Sequence, residues 1–283
     1  MENYLVINAF LEGESFLNLY SALQNAFKEL GQKLNILKNT EALSVLSQVQ
    51  TKGPILFFDK DIYLAEKLQK LGYNVINSPY TIETCDDKAK TYLCLEGKVE
   101  MPKTLIAPFT YQNVGFTDYS FLAEVERQIG YPVIVKENRG SFGQGVYLAR
   151  DYSELLNTVK RLNGKNILFQ QFIKSSYGKD VRVYVVGNTA IAWGMRISEN
   201  DFRSNVGAGG KMVSFDLPQN YKELAVNAAK CVKAHFAGID LLIGDKGPLV
   251  CEVNSNAHFN ALEKASGVNV AKIIAQYYLS LKK

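Results

Sequence analysis

Three oxygen-bearing side chains near the C-terminal end, Asp240, Glu252 and Asn254, stand out because they interrupt runs that are otherwise apolar. Gly238-Ile239-Asp240-Leu241-Leu242-Ile243, a Gly-Asp-Lys-Gly turn and Pro248-Leu249-Val250-Cys251-Glu252-Val253-Asn254 together read as a β-hairpin. Glu252 and Asn254 are two apart and share a strand face. Asp240 joins that face only if the loop has an odd number of residues. Asp245-Lys246-Gly247, with Gly247 left-handed, is such a loop and pairs Asp240 with Glu252. Two adjacent carboxylates in an apolar hairpin repel unless something neutralises them. A divalent cation would do so, and hard oxygen donors without sulfur or imidazole favour Mg²⁺ or Mn²⁺, with Mg²⁺ keeping positions for phosphate oxygens. The alternative is a solvated outer sheet face carrying ordinary surface charge.

A second candidate is Arg139-Gly140-Ser141-Phe142-Gly143-Gln144-Gly145-Val146, directly after an apolar strand that ends on Lys136. Three glycines and a serine between two strands make a turn whose backbone N–H groups can approach phosphate oxygens, with Lys136 as the positive charge. A plain turn is the competing reading, and no Gly-Lys-Ser/Thr opens a helix here as a Walker loop requires. Further on, Arg203 and Asn205 sit in a Gly-rich loop, where a guanidinium can fork onto phosphate or carboxylate. The competing reading is an ordinary surface arginine.

These residues must be held by regular elements. Residues 4–77 alternate strand and helix: strand Tyr4–Phe10, helix Ser15–Leu30, strand Lys33–Leu37, strand Ile55–Asp59, helix Ile62–Leu71 and strand Tyr73–Asn77. The pattern predicts a small parallel α/β lobe. No Gly-rich dinucleotide fingerprint follows its first strand. Ser78-Pro79 breaks the pattern, placing a domain boundary near 78–84, and Asp86-Asp87 can cap a helix through Leu95. Strand Thr104–Ala107, helix Tyr119–Ile129, strand Gly130–Lys136, helix 151–163 and strand Asn166–Phe172 follow. Strands Val181–Val186 and Thr189–Met195 flank a Gly187-Asn188 turn. A helix Asn220–Phe236 leads into the hairpin, and a helix pair from Asn260 to Leu281 closes the chain.

At 283 residues and 47% hydrophobic content the chain can bury cores for two or three lobes. A net charge of +4 with dispersed Lys and Arg gives no reason to expect nucleic-acid binding. The four cysteines form no closely spaced pairs, against a structural zinc site or a disulfide framework. The run Tyr4–Phe10 lacks a basic flank and a cleavage pattern, and no segment approaches membrane-spanning length, so a cytoplasmic, membrane-free location is expected.

The motifs, in this order, resemble the ATP-grasp superfamily and within it the RimK-type (alpha-L-glutamate ligase-like) amino-acid ligases. The resemblance covers about residues 86–275. It runs through Asp87-Lys88, Tyr131–Lys136, Gly140–Val146, Gln170–Ile173, Gly178-Lys179-Asp180-Val181-Arg182, Asp201-Phe202-Arg203-Ser204-Asn205, and Gly238-Ile239-Asp240 with Glu252-Val253-Asn254. It implies an α/β fold, an N-terminal parallel lobe (1–83) ahead of a two-lobed grasp with a central lobe (84–172) and a C-terminal lobe carrying the metal site (173–283). It further implies that Lys88 and Lys136 contact ATP phosphates, that Gly140, Ser141, Phe142, Gly143 and Gly145 cover them, and that Gln171 and Phe172 form the adenine hinge. Asp180 would bind the ribose, Arg203, Ser204 and Asn205 would lie along the triphosphate, and Asp240, Glu252 and Asn254 would hold two Mg²⁺ (or Mn²⁺) ions.

The implied activity is ATP-dependent amide formation through an acyl phosphate, with Lys136 and Arg203 as the catalytic cations. The expected partners are ATP, glutamate or another amino acid, and a carboxylate-bearing small molecule, peptide or protein C-terminus, while self-association is left open. Two departures from the family pattern bear on the substrate. Ser255-Asn256-Ala257-His258-Phe259 replaces the usual Pro-Gly pair, and Gly207-Ala208 stands where a basic residue is common. Both predict a less cationic pocket, an amine that need not be glutamate, and His258 near the acceptor.

Overall fold

A computed structural model describes residues 2–140, 143–204 and 210–282. Ser141, Phe142, Asn205, Gly207 and Ala208 therefore lie outside the described residues.

The first sheet contains β1 (Asn3–Ile7), β2 (Leu34–Lys38), β3 (Pro54–Phe58) and β4 (Asn74–Ile76), all parallel, in the order β2-β1-β3-β4. Its central strands are apolar on both faces because both faces are covered. Leu5, Ile7, Leu56 and Phe58 pack with Leu19, Leu23 and Phe27 of α1 (Glu14–Glu29). The alternate residues Tyr4, Val6, Ile55 and Phe57 pack with α2 (Asn39–Gln48) and α3 (Ile62–Lys70). Helix α2 carries little apolar periodicity, and no helix was expected over those residues.

The stretch expected to break the pattern at Ser78-Pro79 instead starts a helix. Ser78 Oγ accepts from Thr81 N and Pro79 takes the first turn of α4 (Pro79–Asp86), where its missing N–H is harmless. Asp87 then caps α5 (Lys88–Leu95) by accepting from Ala89 and Lys90 N–H. A boundary between 83 and 84 thus falls inside α4.

The second sheet is antiparallel, β5 (Thr104–Ile106), β8 (Ile167–Gln171), β6 (Val133–Glu137) and β7 (Val146–Ala149) in that order, backed by α6 (Leu122–Gln128) and α7 (Tyr152–Arg161). The third, also antiparallel, is ordered β11 (Lys211–Val213), β10 (Thr189–Ile197), β9 (Lys179–Val186), β12 (Phe236–Gly244) and β13 (Gly247–Asn254). Helix α8 (Gln219–Cys231) lays Ala225, Ala228 and Ala229 on Val181, Val183, Ile239 and Leu241. It stops five residues short of the expected end, because Lys233 adopts a left-handed φ of 57° and Ala234 N–H bonds back to Ala229 O, freeing Phe236 to open β12.

The C-terminal helices α9 (Asn260–Ser266) and α10 (Val270–Ser280) bind the third sheet to the first. Ile274, Ala275 and Tyr278 join the core that holds Leu5 and Phe27, and the Tyr278 hydroxyl donates to Pro54 O at 2.6 Å. Asn77 is fully buried at the end of β4 and makes the same connection with polar atoms. Its Nδ2 donates to Phe236 O and Ser255 O at 2.8 and 2.9 Å, and its Oδ1 accepts from His235 N–H at 2.7 Å. Among the described residues no helix is long and apolar enough to cross a membrane.

Candidate active site

The hairpin β12–β13 pairs Asp240 with Glu252 and Gly238 with Asn254, so the three polar side chains share a face as expected. The reason differs from the expected one. Gly244 pairs with Gly247 across a two-residue Asp245-Lys246 turn, and the odd residue is a bulge at Cys251, between Asp240↔Glu252 and Leu241↔Val250. β13 is an edge strand, and the bulge lies where Val250 N–H turns outward to Glu100 O at 2.8 Å.

The bulge aims Cys251 at Lys136. Lys136 sits near the end of β6, buried, with Nζ 3.4 Å from Cys251 Sγ. The thiol is pushed up by burial more than the nearby ammonium lowers it, so it remains protonated at neutral pH. Lys88 approaches from the first turn of α5. Its N–H donates to Asn138 O, and its ammonium donates to Gly140 O at 2.9 Å and lies 3.4 Å from Glu252 Oε1. The two ammonium groups and Glu252 line one narrow cleft between the second and third sheets, whose apolar walls include Leu95, Met101, Leu168 and Val250. Cations at one end and an apolar slot behind them suit an anion attached to a flat, weakly polar ring.

Asp240 is neutralised within the protein, a solution the sequence reading missed. Arg182 forks onto it, Nε to Oδ1 at 2.7 Å and Nη2 to Oδ2 at 2.8 Å, and Arg196 Nη2 adds a contact of 2.9 Å. Burial pushes the Asp240 carboxyl up, but the two guanidinium groups more than offset it and hold it at about 2. Arg196 also bonds both oxygens of Asp180, making a quartet of two arginines and two aspartates with no net charge, buried except for Arg182, which is partly exposed. The signal was present in the sequence: Asp180 and Arg182 are two apart on a strand next to that of Asp240, so both can face it.

Asp180 is thus occupied by Arg196, and a ribose hydroxyl would have to use a remaining lone pair. Asn254 Nδ2 lies 3.4 Å from Asp240 Oδ2, which turns its amide oxygen away from that carboxylate. Two carboxylates and an amide oxygen on one face, without sulfur or imidazole among them, fit Mg²⁺, which leaves further positions to phosphate oxygens and water. No cluster of three or more His, Cys, Asp or Glu side chains forms among the described residues, so the fit rests on this carboxylate pair and the amide.

Arg203 reaches the glycine hairpin from the other lobe. Its Nη1 donates to Gly143 O at 3.0 Å while Asp201 grips Nε and Nη2 at 3.1 and 2.6 Å, and Ser204 beside it is buried. Gly145, at φ 73°, closes the β6–β7 turn where a Cβ would meet Glu137 at 3.0 Å. Gln171 ends β8 with its N–H on Lys103 O, and Phe172 follows, edge-on to Tyr177 at 6.2 Å. His258 packs edge-on against Phe16 of α1, ring centroids 4.5 Å apart. Burial and the nearby Arg182 charge lower its pKa and keep it neutral.

Comparison with known proteins agrees with this geometry. The profile of the RimK-like ATP-grasp domain matches residues 85–278. The chain is 37% identical over 265 residues to human N-acetylaspartylglutamate synthase A, a match covering 91% of this chain but 66% of that longer protein. It is 32% identical over 271 residues to an uncharacterized protein of Mycoplasma pneumoniae, covering 91% of this chain and 94% of that one. Among solved structures, D-alanine–D-alanine ligase from Bacillus anthracis superposes with a TM-score of 0.76 at 16% identity, over 100% of this chain and 97% of the other, which speaks for the fold. The chain belongs to the RimK-like ATP-grasp family.

Proposed function

We propose that this protein is an ATP- and Mg²⁺-dependent carboxylate–amine ligase that joins glutamate or another amino acid to a small-molecule, peptide or protein carboxylate through an acyl phosphate. The observation that carries this reading is the convergence of Lys88, Lys136 and Glu252 in the cleft between the second and third sheets. The three units behind it would be 1–83, 84–172 and 173–283. Helices α9 and α10 also serve the first, and the protein would work in the cytoplasm, with self-association not required by the site.

A free carboxylate is a poor electrophile, so its oxygen first attacks the γ-phosphorus of ATP. The bond to the bridging oxygen breaks and ADP leaves. The amine then attacks the acyl carbon, the carbon–oxygen bond to phosphate breaks, and the nitrogen gives up a proton. Lys88 and Lys136 would hold the phosphates and spread their charge, and the glycine hairpin that includes Gly140, Gly143 and Gly145 would lie over them. Gln171 and Phe172 would meet the adenine and Asp180 the ribose. Arg203, with Ser204 beside it, stands across the glycine hairpin, where its guanidinium can leave Gly143 O for an acyl-phosphate oxygen. Asp240, Glu252 and Asn254 would hold Mg²⁺, with Mn²⁺ as a substitute, and the metal would supply charge neutralisation for the triphosphate.

Incubation with ATP, Mg²⁺, candidate carboxylates and hydroxylamine tests the reading. An acyl phosphate yields a hydroxamate, whereas direct phosphoryl transfer to a hydroxyl does not. ADP release without hydroxamate from any carboxylate would replace the ligase by such a transferase.

A further inference from the structure

The second sheet turns one face to the cleft, and the alternation of its strands decides which side chains stand there. On β8, Leu168 and Gln170 are two apart and line the cleft, while Ile167 and Phe169 point into the core under α6 and α7. Lys136 pairs with Leu168, and Gln170 pairs with Ile134 on one side and Thr104 on the other. Gln170 therefore stands roughly 7 Å farther along β8 than the level of Lys136, in the direction of Phe172. With the phosphates held by Lys88 and Lys136, that end of the slot belongs to the base.

Gln170 is 7% exposed, and its amide is held in one sense. Thr104 Oγ1 donates its single proton to Pro102 O at 2.9 Å, so toward Gln170 it is an acceptor, and the atom 3.0 Å away is Nε2. The amide nitrogen is spent on Thr104 and the oxygen is left over. Oε1 accepts no hydrogen bond among the described residues, yet it is not one of the atoms sealed away without a partner, so the cleft is what it meets. A lone acceptor beside the apolar walls of Met101, Leu168 and Val250 is complementary to an N–H donor on the edge of a flat ring.

We propose that Gln170 selects the purine of the nucleotide. Its Oε1 accepts from the 6-amino group of adenine and opposes the 6-oxo group of guanine or hypoxanthine, and Thr104 is the positioning residue that fixes the direction of the amide. Two acceptors facing each other in an apolar slot leave both unpaired, which is how a hydrogen-bonding site rejects a near-isostere most strongly. The proposal rests on the ligase reading for its nucleotide and deepens it by naming what reads the base. The neighbouring Gln171 has an exposed side chain and spends its N–H on Lys103 O, with its Oε1 3.5 Å from Lys103 N, so the side chain turned to the base edge is that of Gln170.

Calorimetric titration of the full chain, in Mg²⁺, with ADP, IDP and purine riboside diphosphate tests it; the last keeps the adenine ring nitrogens and lacks only the 6-amino group. In the native protein ADP is expected to bind roughly tenfold or more tightly than either. In Gln170→Met, which keeps the volume and removes the acceptor, ADP falls to the level of the purine riboside compound. In Thr104→Val, which frees the amide to present Nε2 to a 6-oxo group, the preference for ADP over IDP shrinks to within about threefold. ADP and the purine riboside compound binding alike to the native protein overturns the proposal. So does a folded Gln170→Met or Thr104→Val protein with the native preferences, or no nucleotide binding at all. Should either variant fail to fold, the native comparison and the other variant decide. The hydroxamate assay separates the two readings. Hydroxamate formed with ITP as readily as with ATP removes the base selection and keeps the ligase, whereas selective ADP binding without hydroxamate from any carboxylate keeps the base selection and removes the ligase.

Discussion

Lys136→Met separates a role in binding from a role in folding. In the free protein the Lys136 ammonium is 7% exposed and its hydrogen-bond partner is a protonated thiol at 3.4 Å, a weak acceptor. Burying a charge so poorly compensated is unfavourable, and methionine fills nearly the same volume without it. The variant is therefore expected to melt at the native temperature or above. With ATP the sign reverses. A hydrogen bond from a charged group to a phosphate oxygen contributes about 1.5–3 kcal/mol, which converts to a loss of roughly 10- to 150-fold in affinity at about 1.4 kcal/mol per decade. Calorimetric titration with a non-hydrolysable ATP analogue gives the affinity, and thermal denaturation without nucleotide gives the stability. A folded Lys136→Met protein that binds ATP as tightly as the native one refutes the phosphate assignment. A variant that melts well below the native protein refutes the account of a charge held in readiness.

Glu252→Gln should fold normally yet lose turnover, because it removes one of the two carboxylates offered to Mg²⁺ and the partner of Lys88; full activity at ordinary Mg²⁺ would sink that assignment. Asp240 makes the stability pH-dependent in a defined direction. Its folded pKa, about 2, lies below the 3.8 of an unperturbed aspartate, so the stabilisation is complete above about pH 4 and is lost as pH falls from there toward 2. The amount is roughly 2 kcal/mol. Urea unfolding of the native protein between pH 6 and 2 should lose this increment, and Asp240→Asn should show a flatter profile. Asn77→Ala leaves Phe236 O, Ser255 O and His235 N–H without their partner, and a loss of about 2–4 kcal/mol in unfolding free energy is expected. A change below about 1 kcal/mol would show that water replaces the side chain.

Much of this arrangement is legible in the chain itself. Continuous apolar runs announce the parallel strands, Lys136 is visible as a cation closing a further apolar run, and the hairpin shows in its turn residues. What hides is set by tertiary contact. The pairing of Asp240 with Glu252 follows from a bulge on an edge strand whose outward N–H meets Glu100, a residue distant in sequence. The end of α8 is written in a left-handed Lys233, a residue type that gives no warning. The charge of Asp240 is also balanced by Arg182 and Arg196 from two other strands of the same sheet, a contact that the hairpin residues alone do not reveal.

The packing of α10 against the first sheet bears on how the chain is made. Strand β1 leaves the ribosome long before α10, yet the apolar face of Leu5 and Ile7 and the helix carrying Phe27 share their core with Ile274, Ala275 and Tyr278. At about 5–20 residues per second that cover arrives on the order of tens of seconds later. The nascent N-terminal lobe must wait with an open apolar face, so ribosome-bound chains halted before Val270 should capture hydrophobic-dye or chaperone probes that the released protein does not.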